Sequence, residues 1–373
     1  MDKNYLMREA CFACTTPYQI LGAISITQGY KLDADIYVFG MFPNYDKVAR
    51  KLTENNIFTN VYAVDCSEIG APGRRKGFVQ MLFAEKTMAF FLPKNVAYSY
   101  FYSSSRAIMK TIMQHVLLKR NPRMKKVIYE DGMGTYAADS HPLNATRYKR
   151  VAEKLLGWNL ERTNLTSIIA NIPGLVDLPE HLKGCTVGQM PRLEINQNTV
   201  SVLEDIFSIK EGDKIKQSYI VFDTVRNVSN DFTIAHLALL DECYDIISKI
   251  VGKDNMICKP HPKSVCLSHA NIPIYPYQEI PMEVLYASMP GLENRILITL
   301  TSTAVFTPKI LFNKEPRVIC LHKIIKNTKR TNVFDNIFEK FKSCYADKAR
   351  VIAPRTVDEL REQVQILALN DYN

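Results

Sequence analysis

The chain has no apolar run approaching the roughly 20 residues that span a bilayer, and that excludes an integral helical membrane protein. It has one tryptophan in 373 residues and none of the nucleic-acid-binding signatures, so base stacking is not advertised and nucleic acid is set aside as a partner. It also lacks paired cysteines: nine are scattered singly apart from Cys11-x-x-Cys14. An odd, dispersed set excludes a disulfide framework and reads as reduced thiols. Cys11 and Cys14 resemble half a zinc site or a redox pair, but no second Cys or His pair follows. Both lie in one apolar, strand-like stretch, and packing is the preferred reading. Met1 to Leu6 shows no basic n-region and no cleavage site and runs straight into that stretch. The expectation is a cytoplasmic protein without a signal peptide.

What is present is an ordinary globular composition, 47% hydrophobic and 23% charged, with a net charge of +9 from 47 Lys and Arg against 38 Asp and Glu. Basic residues gather at Arg74-Arg75-Lys76, Lys119 to Lys126 and Lys323 to Arg330. They form a solvated face or a surface for anions, whether a substrate or an anionic inner leaflet, and peripheral attachment there is the second expectation.

The chain is long for one core and suggests two domains. Apolar, β-rich runs at Ala10–Thr15, Asp35–Gly40, Val61–Val64, Tyr98–Tyr102 and Val127–Tyr129 alternate with helical patterns at Tyr18–Gln28, Asp46–Thr53, Phe78–Phe91 and Ala107–Leu118. Strand and helix in alternation predict a parallel sheet flanked by helices. Residues 172–216, with prolines at 173, 179 and 191, read as an irregular linker. Alternation resumes with strands at Tyr219–Asp223, Met256–Lys259, Ile296–Leu300 and Val318–Leu321, and helices at Ile234–Val251 and Ala304–Phe312. The predicted fold is α/β with two facing, doubly wound Rossmann-like domains, residues 1–195 and 196–373, the second closing with terminal helices.

Ligands of open α/β sheets sit beyond the carboxyl ends of the strands. Three strand exits carry chemistry. After the fifth strand comes "YEDGMGTY", with Glu130, Asp131 and Gly132; after Met256–Lys259 comes "KPHPK", with His261 and Pro262; after Ile296–Leu300 comes "TSTA", with Thr301, Ser302 and Thr303. A carboxylate is a candidate base. Hydroxyls opening a helix act as N-caps, or hold a phosphate with the exposed N–H groups of the first turn. Each signal also has a bland reading. Asp131-Gly132 makes a good turn. A His-Pro dipeptide proves little alone, since His141-Pro142 follows the polar stretch Ala138 to Ser140 and reads as a loop. The pair Asp33-x-Asp35 has metal-site spacing but precedes its strand, at the wrong end of the sheet, and is rejected.

In this order, "IYEDGMGTY", "KPHP" and "LTST" resemble the bacterial sialyltransferases that carry an acidic-Asp-Gly motif, a His-Pro motif and a Ser/Thr pair. The chain is most similar to glycosyltransferase family 52, the lipooligosaccharide sialyltransferases, whose members open on a strand like "FACTTPYQIL". The resemblance spans roughly residues 8 to 325. It implies a GT-B fold with an acceptor-binding first domain and a nucleotide-sugar-binding second domain. It further implies CMP-sialic acid as donor, inversion at the anomeric carbon, no cofactor and no metal requirement. The acceptor implied is a galactoside-type hydroxyl of a surface glycan, lipooligosaccharide or capsule, free or lipid-linked. By resemblance Asp131 is the motif aspartate, His261 the motif histidine, and Ser302 with Thr303 the phosphate-binding pair. Lys259 matches a lysine near the nucleotide base in some of these families. Glu130, Gly132, Pro262 and Thr301 flank these positions and join the expected substrate contacts.

The chemistry agrees. Inverting transfer needs one group to take the acceptor proton and another to relieve charge on the departing phosphate, on opposite faces of the sugar. Asp131 suits the first task, and His261 with the hydroxyls suits the second. Asp223, ending "YIVFD", is the alternative base. Rivals are a CDP-activated glycerol- or ribitol-phosphate transferase, a GT-B enzyme using another nucleotide sugar, and a non-catalytic glycan-binding protein. The sequence leaves open a homo-oligomer.

Overall fold

The computed structural model describes residues 5–66, 77–104, 107–136, 164–178, 180–223, 232–260, 271–326 and 328–371. It divides into two compact units, Met1–Phe207 and Ser208–Asn373.

The first unit is built on seven strands: β1 Leu6–Cys14, β2 Ala34–Phe39, β3 Asn60–Val64, β4 Val96–Ser103, β5 Lys125–Tyr129, β6 Leu165–Ala170 and β7 Val187–Gln189. Their order across the sheet is β3-β2-β1-β4-β5-β6-β7, and every pairing is parallel. The described helices are α1 Pro17–Tyr30, α2 Tyr45–Glu54, α3 Gly77–Phe91, α4 Ile108–Arg120 and α5 Gln197–Phe207. A parallel sheet covered on both faces wants strands that are apolar throughout rather than alternating. All six residues of β2 and the last five of β1 are buried. One face packs into a cluster with α3 and α4 through Cys11, Tyr37, Phe39, Met88, Phe101, Met109, Met113 and Leu117. Helix α1 is buried from Gln19 to Thr27 and shows no polar face there, as a helix sunk into the core should.

The strand order reverses direction between β1 and β4, which defines the crevice of this unit at the carboxyl ends of those two strands. Cys11 and Cys14 are three apart on β1 and so project to opposite faces. Cys11 joins the cluster with α3 and α4, whereas Cys14 Sγ lies 3.3 Å from the Tyr129 hydroxyl. Packing accounts for both. Asp35 opens β2 at the amino-terminal edge of the sheet, where Arg8 (3.2 Å), Asn60 (2.8 Å) and Tyr98 (2.7 Å) bond to its carboxylate.

The region expected to be an irregular linker is more ordered than its prolines suggest. Val187–Gln189 adds the seventh strand beside β6. Helix α5 docks on α2, where Asp205 accepts from Asn55 Nδ2 (2.8 Å) and pairs with Lys51 Nζ (3.0 Å). These contacts carry the first unit to Phe207, beyond the expected boundary at 195/196.

The second unit carries β8 Tyr219–Phe222, β9 Met256–Lys259, β10 Ile296–Thr299, β11 Arg317–Cys320 and β12 Val351–Ile352, all parallel, in the order β12-β11-β10-β8-β9. Its helices are α6 Ile234–Val251, α7 Met282–Ala287, α8 Thr307–Phe312, α9 Lys329–Cys344 and α10 Val357–Asp371. One core face gathers Val221, Leu240, Tyr244, Ile247, Ile298, Ile319, Leu360 and Val364 from the sheet, α6 and α10. Here the order reverses between β8 and β10. Both units are therefore doubly wound α/β folds, as the alternation predicts. Among the described residues no helix is long and apolar enough to cross a membrane.

Candidate active site

In the first unit, three strand exits converge on one polar network. The turn after β1 runs Thr15-Thr16-Pro17-Tyr18-Gln19. Thr16 caps α1 by accepting from the Gln19 N–H at 3.3 Å, and Pro17 opens the helix where no N–H is needed. Capping sets Gln19 in the first turn with its side chain buried. Its Oε1 accepts from the Thr15 N–H (2.7 Å), the Thr15 hydroxyl (3.0 Å) and Lys110 Nζ (2.8 Å). Its Nε2 donates to Asp131 Oδ1 at 2.6 Å. Lys110 comes from the first turn of α4, after β4, and also reaches the Ser104 hydroxyl at 3.4 Å.

Asp131 follows β5 and is half-buried. The Thr135 hydroxyl accepts its backbone N–H at 2.9 Å, and the Thr135 N–H donates to the Gly132 carbonyl at 3.1 Å, closing a turn. Gly132 takes φ +70°, which suits glycine, and a Cβ there would meet nothing closer than the Tyr18 ring at 3.9 Å. The turn forms, and it leaves the half-buried Asp131 carboxylate at the strand exit.

Glu130 has a different role from its neighbour. It is completely buried, and its carboxylate accepts from the Tyr18 and Tyr136 hydroxyls, the Asn171 N–H (2.8 Å) and Asn171 Nδ2 (3.2 Å). Burial pushes its carboxyl above the usual range against the pull of those donors. Expected as a substrate contact, Glu130 instead ties α1, β5 and the exit of β6 together.

Lys110 is 2% exposed, and burial pulls its ammonium down to about 8, with Asp131 and Cys14 acting in the opposite sense. Cys14, buried beside Tyr129, is pushed up to about 11. Tyr129 is pushed well up by burial as well. Gln19 and Lys110 were not among the residues expected from the sequence. A signal for Lys110 exists: it shares a helical stripe with Met113, Gln114 and Leu117, all buried, where a lysine needs a partner.

The second unit places Asp223 directly after β8 and Thr301, Ser302 and Thr303 after β10, both at its own switch point. Asp223 is 2% exposed, and its N–H donates to the Lys259 carbonyl at 3.3 Å. Ser302 caps a short 3-10 turn, Thr303–Phe306, accepting from the Ala304 N–H at 3.4 Å, and that turn runs into α8. The helix expected over Ala304–Phe312 is thus split, its first turn tightened. Ser302 N–H donates to the Thr299 hydroxyl at 2.7 Å, and Thr301 is buried.

Lys259 ends β9 with its ammonium donating to the carbonyls of Tyr277 (2.7 Å) and Gln278 (3.1 Å), 4.6 Å from the Tyr275 ring centroid. Burial lowers it to about 8, with Glu279 and Glu283 opposing. Its visible work is to hold the 275–278 segment against β9. His261 and Pro262 lie outside the described residues, as does His141-Pro142.

No protein-family model matches the chain, and no curated protein matches it either. Among solved structures it is similar to the UDP-GlcNAc 2-epimerase from Neisseria meningitidis, in a structure bound to UDP-GlcNAc. The identity is 10% over 98% of this chain and 93% of that one, with a TM-score of 0.47.

Proposed function

We propose that the chain is an inverting glycosyltransferase that moves sialic acid from CMP-sialic acid to a galactoside-type hydroxyl of a surface glycan, with Asp131 as general base. The observation that carries this reading is the setting of Asp131. It is a half-buried carboxylate at a strand exit, one oxygen held by Gln19 and its backbone held by Thr135, next to a residue without a side chain. The other candidate, Asp223, is almost fully enclosed.

In the reaction the acceptor oxygen bonds to the anomeric carbon while its proton passes to Asp131. The bond from that carbon to the phosphate oxygen breaks, and its electron pair leaves with CMP. In the second unit Ser302, Thr303 and the N–H groups of the turn they open are suited to receive that phosphate, with Thr301 beside them and His261 as the expected proton donor or hydrogen-bond partner. Replacing a metal by imidazole and hydroxyls suits a donor whose phosphodiester carries a single charge.

The test is hydrolysis of a panel of activated donors, read by the nucleotide released. CMP release from CMP-sialic acid, above that from any UDP- or GDP-sugar, supports the reading. Release of CMP from CDP-glycerol or CDP-ribitol would support the phosphotransferase instead. Preference for UDP- or GDP-sugars would overturn the donor assignment. Calorimetry adds a second check: CMP should bind without magnesium, and Ser302→Ala with Thr303→Ala should abolish most of the affinity.

A further inference from the structure

We infer that Gln19 and Lys110 are positioning residues for Asp131, joined to it in a cation–amide–carboxylate chain that fixes one carboxylate oxygen. The inference rests on Asp131 being the base.

The orientation of the Gln19 amide follows from its neighbours. An ammonium and a backbone N–H can only donate, so the atom at 2.8 Å from Lys110 Nζ and 2.7 Å from the Thr15 nitrogen must be the oxygen. The opposite edge of the amide is then N–H, and it faces Asp131 Oδ1 at 2.6 Å. The flipped amide would set its oxygen against the carboxylate and its N–H groups against the Thr15 N–H and Lys110, so these two donors together fix the orientation. A donor that is itself polarised by a cation also bonds more strongly.

The interposed amide has a second consequence. A direct Lys–Asp ion pair would hold the carboxylate charged and make it a poor proton acceptor. With Gln19 between them, Lys110 fixes geometry while its charge stays one residue away from the reacting oxygen. The groups facing Lys110 are consistent with this. Ser104 and Gln19 bond to it, and Asp131 acts on it by charge. The Cys14 thiol and the Tyr129 phenol beside it are pushed up, so both are neutral near pH 7. The Glu130 carboxylate is turned to Tyr18, Tyr136 and Asn171 instead. Among the described residues that leaves Asp131 as the acidic group coupled to Lys110 through the chain.

Two readouts on the full chain test this, one of them independent of turnover. In protein carrying 13C-labelled lysine, the Lys110 Cε resonance is assigned by its loss in Lys110→Met and followed against pH. Asp131→Asn should move the Lys110 titration to lower pH and Gln19→Glu to higher pH; no movement in either variant would overturn the coupling. The kinetic arm uses CMP release from CMP-sialic acid in the presence of acceptor. Gln19→Leu and Lys110→Met should each lower kcat about 10- to 100-fold with donor KM unchanged. Gln19→Glu keeps the side-chain size and a partner for Lys110, and sets a second carboxylate against Asp131, so the acidic limb of the pH–rate profile should move to higher pH. A purely structural role would reduce the folded fraction and leave that limb in place, which would also overturn the inference. If the wild type releases no CMP while the Lys110 titration still responds to Asp131→Asn, the glycosyl-transfer reading falls and the coupling stands.

Discussion

Two buried ionisable side chains near Asp131 solve their burial in different ways. Glu130 is surrounded by donors, and its truncation leaves two tyrosine hydroxyls and an asparagine without their acceptor. Glu130→Ala should therefore cost about 3 kcal/mol, read as a lower denaturant midpoint for the first unit. Lys110 instead carries a strong desolvation cost, which lowers it from 10.5 to about 8. Between pH 8 and 10.5 the unfolded chain binds more protons at this lysine than the folded one. Stability from this group rises with pH through that window and is lost as pH falls through about 8. The difference in unfolding free energy between wild type and Lys110→Met, measured across pH 7 to 11, should show that rise in the wild type, on the order of 3 kcal/mol. A difference that stays flat would mean that Lys110 is better solvated than its position indicates.

At the scale of elements, the site depends on how α1 begins and where it rests. Removing the cap with Thr16→Ala should cost about 1 kcal/mol and loosen the turn that sets Gln19, visible as a lower thermal midpoint. Near the other end of α1, a Cβ on Gly29 would collide with the Cβ of Pro191. Gly29→Ala gains about 0.5–1 kcal/mol of helix propensity but forces the helix off the segment after β7. A net loss of about 1 kcal/mol or more is expected in a denaturant titration. These elements also show what the sequence makes legible. Helix α6 spans the predicted Ile234–Val251, and β8 departs by one residue from the predicted Tyr219–Asp223, because long amphipathic or uniformly apolar runs declare their period. Strands β7 and β12, of three and two residues, are too short to show any period, and neither was anticipated. The strand-exit placement of Asp131 was readable from "VIYEDG". Its partner Gln19 was not, since the two are 112 residues apart and only the β1–β4–β5 order brings them together.

In the whole molecule, if Asp131 is the base and Ser302 with Thr303 the phosphate site, Met1–Phe207 and Ser208–Asn373 carry separate tasks. CMP should then protect the second unit selectively, by about 2.7 kcal/mol at a hundredfold excess over its Kd, seen as a shift in one of two calorimetric transitions. The net charge of +9 allows peripheral attachment to an anionic leaflet at about 1 kcal/mol per engaged Lys or Arg. Lys323, in one of the basic clusters, already pairs with Glu339 (3.0 Å) and Asp335 (3.4 Å). Any such attachment should weaken steeply with salt in vesicle co-sedimentation. The most direct measurement is steady-state kinetics with CMP-sialic acid and a galactoside acceptor on the wild type, Asp131→Asn and Asp223→Asn. A base contributes about 10²–10⁴-fold, so Asp131→Asn should lose that much kcat while retaining donor affinity and fold. Near-normal turnover in Asp131→Asn, with Asp223→Asn folded and inactive, would place the base in the second unit and contradict the account.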